Sequence, residues 1–256
     1  MTRMISDAVR DLCLGLPDTE EELSHGSPAY RVAGKTFATF SVNHHGDGYV
    51  GLRLRSPPGA QQLYTEMEPD HYFVPQYVGP KGWLGVELNR GIPWESVIAR
   101  VREAYEHVAP APLVKELPDS IAVPAPERNM LPEEIDPFLG PRGQEVLAGL
   151  AERCGALPET CPATAFGNPV WKAGKKTFVS THYYRGRMTL QFWVGTEQQA
   201  LLTYDDRYNI PPYTGGKGWI DLDVEEHADW EEISGLLESS YRHFALKRML
   251  KALDGA

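Results

Sequence analysis

Cysteine is scarce in this sequence, with three residues in a chain of 256. The number is odd and no Cys-X-X-Cys spacing occurs, so neither a disulfide framework nor a zinc-binding cysteine cluster is predicted. Cys13 and Cys154 lie at matching places in two helical patterns. This placement favours small core residues over redox roles.

Long apolar runs and an excess of basic charge are also missing. No run of about 18 apolar residues occurs, so no transmembrane helix is predicted. Residues 1–7 lack the apolar core of a signal peptide. The formal net charge is −10, and segments 1–117, 118–143 and 144–256 each hold more acidic than basic residues. Strong non-specific binding to nucleic acid is therefore disfavoured, since neutralisation of phosphates dominates its affinity. We expect a soluble cytoplasmic protein.

One short pattern occurs twice, at residues 75–88 and 211–224. Each copy reads as a glycine-rich turn with one lysine, followed by a strand that starts on tryptophan and alternates apolar with polar residues. The paired residues are Lys81 with Lys217 and Trp83 with Trp219. Two copies in the same sequence context predict a tandem repeat.

The other elements repeat in the same order. Each half begins with an amphipathic helix, continues with a hairpin and a third alternating strand, and has a tryptophan-led helix after the glycine turn. These helices start near Trp94 and Trp230. We predict an α+β fold of two similar domains, each an antiparallel sheet packed with helices. The domains span residues 1–117 and 144–256, and an acidic, proline-rich connector spans 118–143.

Several of these stretches resemble the MmcQ/YjbR-like family. The similarity is carried by residues 16–20, 26–38 and 77–86 and by the Trp94 helix. It covers nearly all of both repeats and is looser in the second, where the hairpin glycine has moved to Gly174. The resemblance implies a YjbR-like, double-wing α+β domain. The family is commonly labelled DNA-binding because of two protruding hairpins, and it usually has one domain per protein.

Aromatic residues at matched positions motivate the first functional hypothesis. We predict a non-enzymatic protein that binds a flat or aromatic small molecule, with a possible role in sequestration or resistance. Trp219 is a better candidate for ligand contact than Trp83, because the second repeat has drifted around its turn. The predicted ligand-binding residues are Tyr30, Tyr77, Trp83, Trp171, Trp193, Tyr213 and Trp219.

Two alternatives remain open. The first is a DNA-binding protein that uses basic hairpin wings, for which we expect either weak, strongly salt-dependent binding or none. The second is a protein-interaction scaffold, in which a monomer with two fused repeats imitates a homodimer. The residues predicted for nucleic-acid binding are Arg31, Lys35, Arg53, Arg55, Lys81, Lys172, Lys175, Lys176, Arg185, Arg187 and Lys217.

No cofactor, metal site or catalytic residue is predicted. Adjacent His44 and His45 read as a solvated loop rather than metal ligands. The strand period places Asp221 and Asp223 on one exposed face, so we expect a solvated edge rather than a catalytic carboxylate pair.

Overall fold

The computed structural model of the chain describes residues 2–184 and 186–255. The chain divides into two compact units, one ending at Ile135 and the other beginning at Asp136. Each unit has its own hydrophobic core. No helix in the described residues is both long and apolar enough to cross a membrane.

The first unit places its helices against one antiparallel sheet. In the described residues this sheet has six strands, in the order β1-β2-β3-β4-β6-β5. The elements in chain order are α1 (Ile5–Leu14), β1 (Thr19–Ser24), β2 (Ser27–Val32), β3 (Lys35–Val42), β4 (Val50–Arg55), α2 (Ala60–Met67), β5 (Tyr72–Phe73), β6 (Trp83–Glu87), α3 (Trp94–Val108), α4 (Ala111–Val114) and α5 (Pro132–Ile135).

The second unit has the same strand order. Its described residues form a six-stranded sheet, β7-β8-β9-β10-β12-β11, with neighbouring strands antiparallel. The elements are α6 (Pro141–Gly155), β7 (Thr160–Ala165), β8 (Asn168–Ala173), β9 (Lys176–Tyr184), β10 (Arg187–Trp193), α7 (Thr196–Leu202), β11 (Tyr208–Asn209), β12 (Trp219–Asp223), α8 (Trp230–Phe244) and α9 (Lys247–Asp254). The predicted α+β class and the duplication are thus confirmed.

The alternation along β4 and β6 decides which side of the first sheet faces the core. Leu52, Leu54, Leu84 and Val86 are fully or almost fully buried beneath α1 and α3. The residues between them, such as Arg53 and Gly85, point to the opposite side. We call this opposite side, in either unit, the polar face.

The two core helices begin where their tryptophans predicted, at Trp94 and Trp230. The carboxylate of Asp229 caps α8 by accepting hydrogen bonds from the backbone N–H groups of Glu231 and Glu232. Such a cap satisfies donors that have no partner within the helix. The predicted core role of Cys13 and Cys154 is also confirmed, since both are fully buried.

The proline-rich segment is divided between the two units. Its first part lies on the first unit, where the Trp94 indole N–H donates to the carbonyl of Val123 at 2.9 Å and Asn89 bonds Met130. Its last part belongs to the second unit, where Phe138 enters the core. The segment predicted as one connector, 118–143, therefore contributes to both compact units on either side of Ile135.

Candidate ligand-binding site

The second unit holds a cluster of aromatic rings at the end of its sheet. Trp193 on β10 stacks on His243 with ring centroids 3.4 Å apart and planes 15° apart. Phe244 meets Trp193 edge-on and stacks on Trp219 on β12. His243 and Phe244 are the last two residues of α8, so the helix end and two adjacent strands build the cluster together.

Trp193 is held in one orientation by polar bonds as well as by stacking. Its indole N–H donates to the carbonyl of Lys217 at 3.0 Å. Its backbone N–H donates to the Ser240 hydroxyl, which in turn donates to the carbonyl of Phe178. A side chain fixed in this way loses little conformational freedom when a ligand binds.

A depression of about 600 Å³ lies beside this cluster, and we call it the Trp193 cleft. This volume falls within the usual range of small-molecule sites. The lining combines the indole with polar and charged groups from the start of α7 and from the glycine turn. The lining residues are Trp193, Val194, Gly195, Thr196, Glu197, Gln198, Leu201, Gly216 and Lys217.

The glycine turn approaches the other wall of the cleft at backbone level. Gly218 has φ +83°, and a Cβ built on it would lie 2.7 Å from the Cα of Gly195. The carbonyl of Gly218 accepts the N–H groups of Val194 and Gly195. Gly82, its counterpart in the first unit, has the same φ, but no atom of the described residues that are not its chain neighbours lies within 4 Å of the corresponding position. The close approach is thus specific to the second unit.

The aromatic residues predicted from the sequence separate into three groups. Tyr30 and Trp171 are only 1% and 7% exposed and belong to the two cores, so they are removed from the candidate site. Tyr77 and Tyr213 are 64% and 89% exposed at loop tips. Trp83, Trp193 and Trp219 are half-buried, and of these three the residue lining the cleft is Trp193.

Sequence reasoning missed a matched glutamine that supports both glycine turns. The Gln199 side-chain amide donates to the carbonyls of Gly215 and Trp219, at 2.8 and 2.6 Å. Gln61 makes the same two bonds to Gly79 and Trp83. The repeated Gln-Gln pair at 61–62 and 198–199 was a signal that could have found it, but its partners are 16 to 22 residues away along the chain.

Several predicted nucleic-acid contacts are already neutralised by acidic neighbours. Arg31 pairs with Glu22 at 2.6 Å, and Arg187 pairs with Asp223. Arg53 is only 6% exposed and lies beside Asp47. Arg185 lies outside the described residues. Lys35, Arg55, Lys81, Lys175, Lys176 and Lys217 are exposed, and Lys172 is half-buried.

The polar face of the first unit contains the buried Arg53. Its Nη2 lies 3.4 Å from Oδ2 of Asp47, which is long for a charge-assisted hydrogen bond. Burial lowers the pKa of Arg53 and raises that of Asp47, so desolvation outweighs their mutual attraction in both cases. Burial and the Arg53 charge lower the pKa of nearby His44 to about 4, so this imidazole is neutral at pH 7.

The polar face of the second unit contains a half-buried acid, Asp221. Asp221 accepts a hydrogen bond from the Gln191 amide at 2.8 Å, and Gln191 accepts one from the Thr214 hydroxyl at 3.3 Å. Burial raises the pKa of Asp221 to about 6. The expectation that Asp221 and Asp223 form a solvated edge was wrong, because both are half-buried.

We expect Asp221→Asn to stabilise the protein at neutral pH. In the folded state the pKa of Asp221 is raised from its ordinary value of 3.8 to about 6. Because the folded state binds this proton more tightly than the unfolded state, the contribution of Asp221 to the free energy of unfolding is fully present below about pH 4 and is lost as pH rises through 6. Asparagine does not ionise, so the difference in free energy of unfolding between the variant and the parent should grow from pH 4 to 7 and reach about 1–3 kcal/mol. Urea unfolding at several pH values measures it, and a difference that does not change with pH would contradict the prediction.

Groups of three or more His, Cys, Asp or Glu arranged to hold a metal ion are absent from the described residues. His44 and His45 contact each other and Tyr77 through their rings. This loop is thus an aromatic cluster at the rim of the polar face. The interpretation of the loop as simply solvated is corrected for His44, which is half-buried.

Comparison with known proteins identifies the family of this chain. No curated protein matches the chain. Among solved structures, the chain is similar to the crystal structure of Deinococcus radiodurans protein DR2400, which has a DUF419 domain. The identity is 21%, the match covers 47% of this chain and 93% of that chain, and the TM-score is 0.38. The YjbR family model matches residues 14–107 and 155–243. The chain therefore belongs to the YjbR family and contains the family domain twice.

Proposed function

We propose that this protein is a non-catalytic binding protein that holds a flat aromatic small molecule in the Trp193 cleft. The main support is the indole of Trp193, which is fixed by its bond to Lys217 and its stack on His243 and lines an open depression. A base stacked on an aromatic side chain gains about 1–3 kcal/mol, and we expect a similar gain for a flat ligand. Sequestration of the bound molecule, for storage or resistance, is the role that fits such binding.

The difference between the two units supports a single cleft of this kind. β4 carries Arg55 at the position of Trp193, and α3 ends in Val108 at the position of Phe244. The first unit therefore lacks two of the four rings of the aromatic wall, although it keeps His107 and Trp83 at the positions of His243 and Trp219. This divergence between repeats is what we expect when one copy has taken on binding while the other keeps the ordinary domain.

The non-catalytic part of the proposal is supported by the polar face. Ser180 and His182 lie 3.0 Å apart, which resembles a nucleophile and its base. Catalytic dyads usually have a third group that orients the base. In the described residues, the hydrogen bond formed by the His182 side chain is the one to Ser180. Burial also lowers the pKa of His182, which makes it a weaker base.

DNA binding is the second candidate function, and the β8–β9 hairpin favours it. Lys172, Lys175 and Lys176 lie within five residues of one another around this turn, and their ammonium groups form no ion pair within the described residues. Against it stand the neutralised Arg31 and Arg187, the burial of Arg53 and the net charge of −10. We therefore place the small molecule ahead of DNA.

Binding in the cleft is tested with proflavine, a planar cation, and 2-naphthoate, a planar anion, each titrated by ligand fluorescence. We expect Trp193→Ala to weaken binding of the preferred probe at least about fivefold, since stacking is lost. Arg55→Ala is the matched control, because it changes the equivalent strand position of the first unit. Trp219→Ala should affect stability more than binding, because Trp219 packs on Phe244 outside the cleft lining.

Mass spectrometry after native purification then identifies any molecule that co-purifies with the protein. Thermal unfolding of each variant shows whether it is folded. Equal affinity of Trp193→Ala and the parent for both probes would contradict the proposal, and so would saturable binding to neither. Loss of binding in Arg55→Ala would move the site to the first unit.

A further inference from the structure

The polar face of the first unit contains buried polar groups whose hydrogen-bonding capacity is not filled. Arg53 and Ser41 are each 6% exposed, and neither the Arg53 Nε nor the Ser41 hydroxyl has a partner among the described residues. Within the same part of the chain, the ion pair of Arg53 is the 3.4 Å contact with Asp47. Buried polar atoms are nearly always paired, so these two unpaired groups, which share the sheet face with the unpaired Oε2 of Glu87, need a physical reason.

These groups lie close together on adjacent strands. β3 and β4 pair so that Thr39 is opposite Arg53 and Ser41 is opposite Gly51. Ser41 and Arg53 are thus diagonal neighbours on the same face, within reach of a long side chain. The backbone N–H of Tyr49 donates to Oδ1 of Asp47, which holds this carboxylate at the same end of the face. We call Ser41, Asp47 and Arg53 the Arg53 cluster.

An aromatic rim stands at this end of the face. Tyr77 meets His45 edge-on at a centroid distance of 5.5 Å and His44 at 6.3 Å. Tyr77 has φ +63° and its counterpart Tyr213 has φ +68°, so this backbone conformation belongs to the turn of both units. The rim of the first unit places exposed and half-buried rings beside a buried cation.

We infer that the Arg53 cluster binds a small oxyanion, with the Arg53 guanidinium and the Ser41 hydroxyl as donors. A guanidinium presents its N–H groups in a planar fork that matches the oxygens of a carboxylate or a phosphate. An oxyanion supplies the acceptors that Arg53 Nε and Ser41 lack. The negative charge of the oxyanion also offsets the buried positive charge of Arg53, which Asp47 offsets only weakly at 3.4 Å.

The second unit lacks this capacity. Gln191 stands at the position of Arg53, and its amide is satisfied by Asp221 and Thr214. The half-buried Asp221 carboxylate, at the position of Gly85, would repel an anion. The oxyanion site therefore belongs to the first unit alone and is independent of the Trp193 cleft, so the two proposals succeed or fail separately.

The test is calorimetric titration of the full chain with inorganic phosphate and, separately, with benzoate, at constant ionic strength maintained with chloride. The two probes distinguish a tetrahedral from a planar oxyanion. We expect saturable binding of one equivalent of at least one probe. Arg53→Gln should weaken this binding at least about tenfold, the usual scale for loss of a hydrogen bond to a charged group. Arg55→Gln is the matched control, because it removes an exposed cation two residues along the same strand and should leave affinity unchanged.

Asp47→Asn separates a binding role of Arg53 from a purely structural one. If Asp47 competes with the ligand for the guanidinium, Asp47→Asn should tighten oxyanion binding. If Arg53 and Asp47 only stabilise the fold, the variant should be less stable and bind neither probe. Absence of saturable binding to both probes, or unchanged affinity in Arg53→Gln, overturns the inference. Should Arg53→Gln fail to fold, the direction of the affinity change in Asp47→Asn decides.

Discussion

Replacing Tyr241 by alanine is expected to lower the free energy of unfolding of the second unit by about 3–5 kcal/mol, the usual cost of removing a large buried aromatic ring. Tyr241 is fully buried on α8 and meets Phe178 edge-on at 5.5 Å. Its hydroxyl donates to the carbonyl of Pro158 at 2.7 Å. One side chain thus ties the core helix to the turn that follows α6, and its removal leaves both a cavity and an unpaired carbonyl.

The first unit offers a matched variant, because Tyr105 occupies the same place. It meets Phe37 at 5.6 Å and donates to the carbonyl of Pro17 at 2.7 Å. We expect Tyr105→Ala to destabilise the first unit by a similar amount. Tyr241→Phe keeps the ring and loses only the hydrogen bond, so its cost should be about 1–3 kcal/mol.

Urea unfolding gives the size of these losses, and hydrogen exchange followed by mass spectrometry assigns each loss to a unit. The expected pattern is faster exchange in β8–β10 for Tyr241→Ala and in β2–β4 for Tyr105→Ala. A loss below about 1 kcal/mol in both alanine variants would show that these tyrosines do not anchor their helices in the way their contacts indicate.

Replacing Gly218 by alanine is expected to destabilise the protein by about 2–5 kcal/mol, the sum of a backbone and a steric cost. A left-handed conformation costs a residue with a Cβ about 1–2 kcal/mol. The new methyl group would also lie 2.7 Å from the Cα of Gly195, which is backbone and cannot rotate away. Overpacking of this kind typically costs about 1–3 kcal/mol. The same displacement should open one wall of the Trp193 cleft and reduce ligand binding.

Gly82→Ala is the control for the steric part of this effect. Gly82 has the same φ of +83°, but in the part of the chain that the structure describes no atom beyond its chain neighbours lies within 4 Å of the place that its new methyl group would take. Only the backbone strain remains, so its cost should be about 1–2 kcal/mol. Thermal or urea unfolding of the two variants measures the difference. Equal costs would show that the contact between Gly218 and Gly195 carries no constraint, and the proposed rigidity of the cleft would lose its basis.

Local signals in the sequence were enough to predict the duplicated architecture. The glycine turns require φ values that only glycine adopts easily, and Gly82 and Gly218 adopt them. Periodicity marked the helices that begin at Trp94 and Trp230. These features depend on residues a few positions apart, so they can be recognised without knowing what packs on them.

Elements with weak local signals were missed. β1 has the sequence Thr-Glu-Glu-Glu-Leu-Ser, which shows no alternation of apolar and polar residues. The strand lies at the edge of the sheet. The short helices α2 and α7 were missed as well. Each is tied to its glycine turn by one glutamine, a contact that spans many residues of sequence.

By itself, the sequence determined the α+β class, the two repeats and the alternation that puts Arg53, Gln191 and Asp221 on the side of each sheet away from the core helices. Only the tertiary structure decided that this side is covered, since alternation tells which way a side chain points and not what lies above it. The tertiary structure likewise placed Tyr30 and Trp171 in the cores and Trp193 at a cleft. Burial depends on the packing of loops and helix ends from distant parts of the chain. Burial raises the pKa of Asp221, and it leaves the positive charge of Arg53 incompletely offset by Asp47.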